Sequence, residues 1–258
     1  MQQVEIVATT PNNRKNGGRS RLRWPVLSNI FNGVAVLFRK SGNLEREIQV
    51  NNSIMIVDDS PYIVDGLVAL LKRKGYLPVP AHGGDECLAL LETTKPDLIL
   101  LDIMMEPMDG WETLDHIKEN PATQNIPVLM FSAKKITADE AQEHSLSIDD
   151  FVSKPVNPAQ LLESIENIFE RRKDVAMEML LGKDAGLDQK TLEEYSALRK
   201  NIEVDKNLLT VLRASSGMDV PGKEVSESDR AAIAKLEEKV DISEARLKAI
   251  NEQFTSNL

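Results

Sequence analysis

The chain of 258 residues is poor in cysteine and histidine, and it has no long hydrophobic run. Cys87 is the only cysteine, so no internal disulfide can form, which fits a reducing cytoplasm. The longest apolar stretch near the N-terminus, residues 30–38, is interrupted by Asn32 and Gly33 and is far too short to span a bilayer. No membrane span is therefore predicted. The histidines lack metal-ligand spacing and are expected to be surface or packing residues: His82, His116 and His144.

Basic charge is scarce in the middle of the chain. Residues 51–170 contain 8 Lys and Arg against 21 Asp and Glu, a net charge of −13 within a total of −10. This excess argues against a nucleic-acid grip by that region, because phosphates require a basic surface. Residues 1–50 have a net charge of +5, and residues 171–258 have a net charge of −2. At this length two modules are expected rather than one domain.

Residues 1–50 contain little that predicts a fold. The polar stretch at residues 12–19 has no apolar periodicity, so residues 1–50 are predicted to be a disordered basic leader, or to follow a start codon placed too early. The Arg-rich start before an apolar patch is only weakly similar to a signal peptide, because no convincing cleavage site follows it. A membrane-touching or partner-binding segment is the alternative.

Apolar runs and helical patterns alternate five times between Ser53 and Arg172. Strict alternation predicts a parallel sheet with right-handed crossovers and helices on both faces. The expected fold is α/β, a doubly wound five-stranded parallel sheet of flavodoxin-like order. The predicted strands are residues 53–57, 77–81, 97–102, 127–132 and 150–153, and the predicted helices are residues 61–74, 84–94, 110–119, 136–144 and 158–172.

Acidic residues follow two of these apolar runs. Residues 98–101 are apolar throughout, which is typical of a strand buried on both faces, and Asp102 comes directly after them. Asp58 and Asp59 follow the run at residues 54–57 in the same way. Ligands of open α/β sheets bind at the carboxyl ends of the strands, and clustered carboxylates suit a hard cation. The sequence therefore predicts a Mg²⁺ pocket at this edge of the sheet.

Four short motifs at predicted strand ends point to one family. In chain order they are Asp58-Asp59, Asp102, Ser132-Ala133 and Lys154-Pro155. Residues 51–172 thereby resemble the receiver domain of two-component response regulators, and the segment 102–110 is similar to that family's loop after the phosphoacceptor. Two departures are present. Glu106 stands in the usual place of a proline, with Pro107 one position later, and Ser147 replaces a common glycine.

The resemblance implies that Asp102 is the nucleophile, which accepts a phosphoryl group from the phosphohistidine of a sensor histidine kinase or phosphotransfer protein. A carboxylate attacks an anionic phosphate only when negative charge is neutralised. The resemblance supplies that neutralisation as Mg²⁺, bound by Asp59, by Asp102, by the backbone carbonyl of Met104 and through water by Asp58. It also implies that Lys154 faces the phosphoryl oxygens from the opposite side.

Two further residues are implied to transmit the signal. Ser132 is expected to hydrogen-bond a phosphoryl oxygen, and Phe151 is expected to swing inward behind it. The change would reach the face formed by the fourth helix, the fifth strand and the fifth helix. Pro155 is expected to follow a cis peptide, as in the family. For Phe151 the competing interpretation is a simple core residue, and for Asp58 and Asp59 it is a helix N-cap.

Residues 173–258 are predicted to form a helical hairpin or coiled-coil tail. Apolar residues recur at heptad spacing in segments 195–212 and 233–254, each interrupted by one polar residue, Asp205 and Ser243. The segment 215–222 between them is rich in helix breakers and predicts a loop. Two helices bury little surface alone, so the hairpin is expected to dock on the receiver or to form a homodimer. The tail is similar to the HalX-type helical extension of archaeal receiver proteins.

The predicted function is that of a cytoplasmic response regulator and not of a turnover enzyme, since the receiver would catalyse only its own phosphorylation and dephosphorylation. One alternative is a transcription regulator whose tail contacts DNA, although the sequence has no basic recognition helix. The other is a phosphohydrolase with Asp102 as nucleophile. That alternative needs a general acid and a substrate pocket, and the sequence provides no clear candidate for either.

Overall fold

The computed structural model describes residues 52–133, 136–155, 157–220, 222 and 224–256. The described receiver and tail segments belong to one compact unit that spans residues 51–258. The predicted basic leader, residues 1–50, lies outside the described residues, so its disorder stays a prediction.

The apolar runs form a five-stranded sheet in which every strand pair is parallel. The order across the sheet is β2-β1-β3-β4-β5, so the chain reverses its direction of winding after β2, as in doubly wound folds. The predicted fold class is confirmed. Asp97, Asp102 and Pro127 lie just outside the strands predicted to include them. The bounds are β1 Ser53–Val57, β2 Leu77–Ala81, β3 Leu98–Leu101, β4 Val128–Ser132 and β5 Asp150–Ser153.

Helices cover both faces of the sheet because successive strand residues point to opposite sides. Val57 and Leu101 pack in one buried cluster with residues of α2, α3 and α4. Ile56 and Leu100, one position earlier, pack in a second cluster with residues of α1 and α5. The central strands are therefore buried on both sides. The helix bounds are α1 Pro61–Arg73, α2 Gly84–Leu91, α3 Gly110–Glu119, α4 Ala138–His144 and α5 Pro158–Asp184.

Helix α5 is much longer than the sequence predicts. The prediction that it ends at Arg172 is wrong, since the helix continues without interruption to Asp184. No proline occurs between Arg172 and Asp184, and Gly182 is accommodated within the helix. The helix ends only just before Gly186, which adopts a φ of 83°. The predicted end at Arg172 rested on where the receiver pattern ends and not on a local signal that stops a helix. A rigid helix thus crosses the predicted domain boundary at residue 172.

The tail is a helical hairpin, as predicted. Its helices are α6, Gln189–Ser216, and α7, Glu227–Ser256. Ion pairs run in antiparallel order, because Glu194 pairs with Arg246 near one end and Arg213 pairs with Glu237 near the other. Tyr195, Ile202, Leu247 and Ile250 form a buried cluster between the two helices. Leu209, Leu212, Ile233 and Leu236 of the seam pack in the receiver core, so the tail docks on the receiver.

Gly110 marks the closest backbone contact beside the carboxyl edge of the sheet. It opens α3, and its amide donates a hydrogen bond of 2.9 Å to the carbonyl of Ile103. A Cβ atom at this position would lie 2.0 Å from the carbonyl oxygen of Asp102. Only glycine therefore allows the helix to begin this close to the loop that follows Asp102.

Replacing Gly110 with alanine should destabilise the protein strongly. The added methyl group meets backbone rather than a flexible side chain, so the loop must move, at a cost of about 1–3 kcal/mol or more. Urea unfolding followed by circular dichroism measures the loss. Gly66→Ala, at an exposed position of α1, is the matched control, because no atom lies within 4 Å of its added Cβ. That substitution should raise stability by about 0.5–1 kcal/mol. Equal stabilities for the two variants would contradict the packing argument.

Candidate functional site

Two carboxylates meet at the carboxyl edge of the sheet because their strands are neighbours in register. Val57, the last residue of β1, pairs with Leu101, the last residue of β3. Asp58 and Asp102 directly follow these two residues and therefore lie side by side. The amide of Asp102 donates to the carbonyl of Val57 over 3.0 Å, which extends the pairing to the site. Asp58 is 1% exposed and Asp102 is 5% exposed. Both side chains are thus almost fully removed from water.

Lys154 joins these two carboxylates. It directly follows β5, and its Nζ atom lies 2.7 Å from Oδ2 of Asp58 and 2.7 Å from Oδ2 of Asp102. Its amide donates to the carbonyl of Ser132 over 2.8 Å, which anchors the start of this loop to the end of β4. The ammonium also lies 4.3 Å from the centre of the Phe131 ring. We call this geometry, with Lys154 bound to both carboxylates, the paired arrangement.

The electrostatics of the pocket leave negative charge uncompensated. Burial raises the pKa of Asp58, although hydrogen bonds from Lys154 and from the Ser60 amide oppose the change. The Ser60 amide donates to Oδ1 of Asp58 over 2.8 Å, and the Met104 amide donates to Oδ1 of Asp102 over 3.3 Å. One ammonium neutralises only one of the two buried carboxylates. A further cation would therefore be bound favourably here.

The donor set of the pocket fits Mg²⁺ in its chemistry. Asp58, Asp59 and Asp102 provide carboxylate oxygens at one edge of the sheet, and such oxygens are the ligands that this cation prefers. Asp59 is exposed to solvent, whereas Lys154 stands between the other two carboxylates. Within the described part of the chain, accordingly, no three acidic, histidine or cysteine side chains stand grouped as metal ligands. Metal binding would require Asp59 to turn inward or Lys154 to move.

The two predicted signalling residues lie on adjacent strands. Ser132 ends β4 and is fully buried. Phe151 is the second residue of β5, pairs in register with Met130 and is also buried. Phe151 therefore lies deeper along the sheet than Ser132. The Lys154-Pro155 peptide is cis, as predicted, and the Glu106-Pro107 peptide is cis as well.

One polar contact of β5 is not predicted by the sequence pattern. Asn207 of the tail helix α6 donates from Nδ2 to the carbonyl oxygen of Phe151 over 2.8 Å, and the same group donates to Oδ1 of Asp150. Val204 and Leu208, on either side of Asn207 along the helix, are buried. The only sequence signal for this contact is a polar residue between two apolar ones. The heptad pattern does not include these positions, so it predicts no partner for this side of α6.

Comparison with known families identifies both parts of the compact unit. Residues 54–166 match the sequence model described as the response regulator receiver domain. Residues 54–166 belong to this receiver family. Residues 171–257 match the family described as methanogen output domain 2. The tail is therefore similar to a methanogen output domain, and not to the HalX-type extension that its sequence pattern predicts.

Similar proteins match the receiver half of the chain. The alkaline phosphatase synthesis transcriptional regulatory protein PhoP of Bacillus subtilis is 35% identical over 127 residues, which cover 49% of this chain and 52% of PhoP. The response regulator Rre1 of Synechocystis is 30% identical over 149 residues, which cover 57% of this chain and 62% of Rre1. The chain spans about half the length of the curated relatives it matches.

Solved structures of receiver domains are similar to the same region. The N-terminal domain of a response regulator receiver protein from Methanoculleus marisnigri JR1 is 56% identical, with a TM-score of 0.40, and the match covers 45% of this chain and 94% of that domain. A receiver domain protein from Methanospirillum hungatei JF-1 is 30% identical, with a TM-score of 0.44, and the match covers 48% of this chain and 98% of that protein.

Among the described helices, none is long and apolar enough to cross a bilayer.

The raised pKa of Asp58 predicts a pH dependence of stability. The folded protein binds a proton at Asp58 more readily than the unfolded chain, whose carboxyl has an ordinary pKa of 3.8. This contribution to the free energy of unfolding is therefore complete below pH 3.8 and is lost as the pH rises through the raised pKa. Asp58→Asn removes it. Urea unfolding across acidic to neutral pH should show that the stability of the wild type falls relative to Asp58→Asn as the pH rises.

Asp65→Asn is the control for this measurement, because Asp65 is exposed on helix α1. Burial also raises the pKa of Asp150, but that residue is present in all three proteins and its effect cancels. The control should follow the wild type at every pH. A constant difference between the wild type and Asp58→Asn would contradict the burial argument.

Proposed function

We propose that the chain is a two-component response regulator in which Asp102 accepts a phosphoryl group from a phosphohistidine. The observation that carries this proposal is the paired arrangement, in which one lysine holds two buried carboxylates at the carboxyl edge of a parallel sheet. A family match to the receiver domain supports the same role. The donor would be a sensor histidine kinase or a phosphotransfer protein.

The chemistry is a direct transfer. A carboxylate oxygen of Asp102 attacks the phosphorus atom, the new P–O bond forms as the P–N bond breaks, and the imidazole nitrogen retains the electron pair and takes up a proton. Lys154 already contacts Asp102. After the transfer its ammonium would bind the phosphoryl oxygens and compensate their negative charge. Asp59, Asp102 and the carbonyl of Met104 would hold Mg²⁺, with Asp58 reaching it through water. Bound there, Mg²⁺ would supply charge neutralisation at the phosphoryl oxygens.

Ser132 and Phe151 would respond to the transferred group. Ser132 ends β4, and its backbone carbonyl accepts a hydrogen bond from the Lys154 amide. This position beside Lys154 suits a hydrogen bond between the Ser132 side chain and a phosphoryl oxygen. Phe151 would then move within β5. The tail, which contacts β5 directly, is the proposed output element. Homodimerisation through the receiver face or the tail, and a cytoplasmic location, stay predictions.

The two alternative functions find less support. The hydrogen-bond partners of the Asp102 carboxylate are Lys154 and the Met104 amide. A phosphohydrolase would need a group that donates a proton to the leaving alcohol, and the ammonium of Lys154 is occupied by two carboxylates. The described helices of the tail pack against each other and against the receiver, and their segment is nearly neutral in charge, so DNA binding is not favoured.

Asp102→Asn should abolish labelling of the full chain by a small phosphodonor such as acetyl phosphate with Mg²⁺. The amide cannot act as the nucleophile, whereas its similar shape preserves the fold. Labelling is measured by intact-protein mass spectrometry, and the fold is checked by circular dichroism. Asp115→Asn on the exposed side of α3 is the matched control and should label like the wild type. Uptake by Asp102→Asn at the wild-type stoichiometry would remove Asp102 from its proposed role.

Removing Asp59 should weaken Mg²⁺ binding more than removing Asp58, because the first would bind the metal directly and the second through water. Loss of an indirect contact lowers metal affinity about 10- to 100-fold. Isothermal titration of Asp58→Asn and Asp59→Asn with Mg²⁺ measures both effects, with exposed Asp65→Asn as the control. The same affinity in all variants and the wild type would place the metal elsewhere.

A further inference from the structure

The tail hairpin covers the side of the receiver formed by α4 and β5, with α6 against β5 and α7 against α4. Val204, Leu208 and Leu212 of α6 are buried in the same apolar cluster as Phe151 of β5 and Ala141 of α4. The tail is therefore part of the receiver core on this side. Its position depends on where α4 and β5 lie.

Asn207 fixes the tail to the backbone of β5. Because β5 is an edge strand, one side of its backbone has no neighbouring strand. The side-chain amide of Asn207 donates to the carbonyl of Phe151 over 2.8 Å and also to Oδ1 of Asp150. The same oxygen of Asp150 accepts from the Phe151 amide over 2.8 Å. These directional contacts favour the observed placement of the strand relative to α6.

A second polar contact fixes the tail to the end of α4. Asp205 of α6 is 0% exposed, and its carboxylate lies 3.0 Å from Nζ of Lys239 on α7. Lys239 also donates to Oγ of Ser145, the residue that caps the end of α4, over 2.9 Å. Helix α7 is thus bound to the receiver beside α4 directly, through Lys239, and α6 is bound there indirectly, through the ion pair of Asp205 with the same lysine.

Lys154 directly follows the strand that Asn207 holds. Phe151 and Lys154 are separated by two residues of the same strand, and the Lys154 amide is tied to the Ser132 carbonyl. In the paired arrangement the ammonium of Lys154 binds Asp58 and Asp102. A phosphoryl group on Asp102 would draw that ammonium to its own oxygens and away from Asp58. A change in Lys154 and a change in β5 are therefore mechanically linked.

We propose that Asn207 is a positioning residue for the phosphoacceptor site, which acts through β5 to hold Lys154 in the paired arrangement. The docked tail then opposes phosphorylation of Asp102, and phosphorylation in turn loosens α6 from β5. This inference rests on the proposed function of Asp102. A bound element can shift an equilibrium only by the difference in its contacts with the two states, and here those contacts are the bonds of Asn207 to Asp150 and Phe151.

The test uses the full chain and beryllofluoride with Mg²⁺, a mimic of the phosphoryl group on an aspartate. Asn207→Asp keeps the shape of the side chain but replaces the donating amide with a carboxylate next to Asp150. Asn207→Ala removes the donor without adding charge, in case the first variant fails to fold. Tyr195→Phe is the matched control. It removes a single tail hydrogen bond, of 2.8 Å to Glu178 on α5, far along the helix from β5.

Both variants at Asn207 should bind beryllofluoride more tightly than the wild type, by about 5-fold or more, the range typical of coupling between two sites. Tyr195→Phe should bind it like the wild type. Calorimetric titration measures these affinities. Because coupling is reciprocal, beryllofluoride should also speed amide hydrogen exchange around residues 204–208 of the wild type. In the variants at Asn207 that exchange should already be fast without the mimic.

Two results would overturn the inference. One is equal or weaker binding of beryllofluoride by both variants at Asn207. The other is exchange in α6 of the wild type that stays the same when the mimic binds. In either case binding of the mimic by the wild type, and its loss in Asp102→Asn, would leave the proposed function intact. A wild type that binds no beryllofluoride would instead overturn the proposed function, and this inference with it.

Discussion

The ammonium of Lys154 is the group on which the rest of the site depends. Asp58 and Asp102 are nearly inaccessible to water and are close enough for one lysine to contact both. Buried carboxylates are stable only when nearby cations and hydrogen-bond donors compensate their charge. Here the cation comes from the end of β5, two strands away from the end of β3. The pocket is therefore complete only when β1, β3 and β5 are all in place.

This dependence explains why the tail can matter for the chemistry. An edge strand is held by a neighbour on one side only, so its position is easier to change than that of β1 or β3. The tail supplies the missing support to β5 through apolar packing and through Asn207. A helical hairpin that buries little surface by itself thus gains stability from the receiver, and the receiver gains a structural link from its edge strand to the tail.

Two features of the tail differ from simple expectation for physical reasons. Helix α5 continues for about three turns beyond Arg172, because no proline interrupts it before Gly186. Asp205, which interrupts the heptad pattern, would weaken a two-helix seam if it lay there unpaired. It is instead fully buried and paired with Lys239, which also reaches Ser145 on the receiver. Such buried charge is tolerated only with its partners, so it specifies where the tail docks.

The sequence by itself determined the strands, the order of the acidic residues at their ends and the presence of a helical hairpin. These features depend on local patterns, such as the wholly apolar run of β3 and the heptads of the tail, which are read within a few residues. Only the tertiary structure decided that Lys154 contacts Asp58 as well as Asp102, and that Asn207 holds β5. These contacts join residues 96 and 56 positions apart, and they depend on which strands become neighbours and which helix face is buried. Local periodicity does not indicate which strands become neighbours or which receiver element a helix contacts, because the same periodicity occurs with any partner.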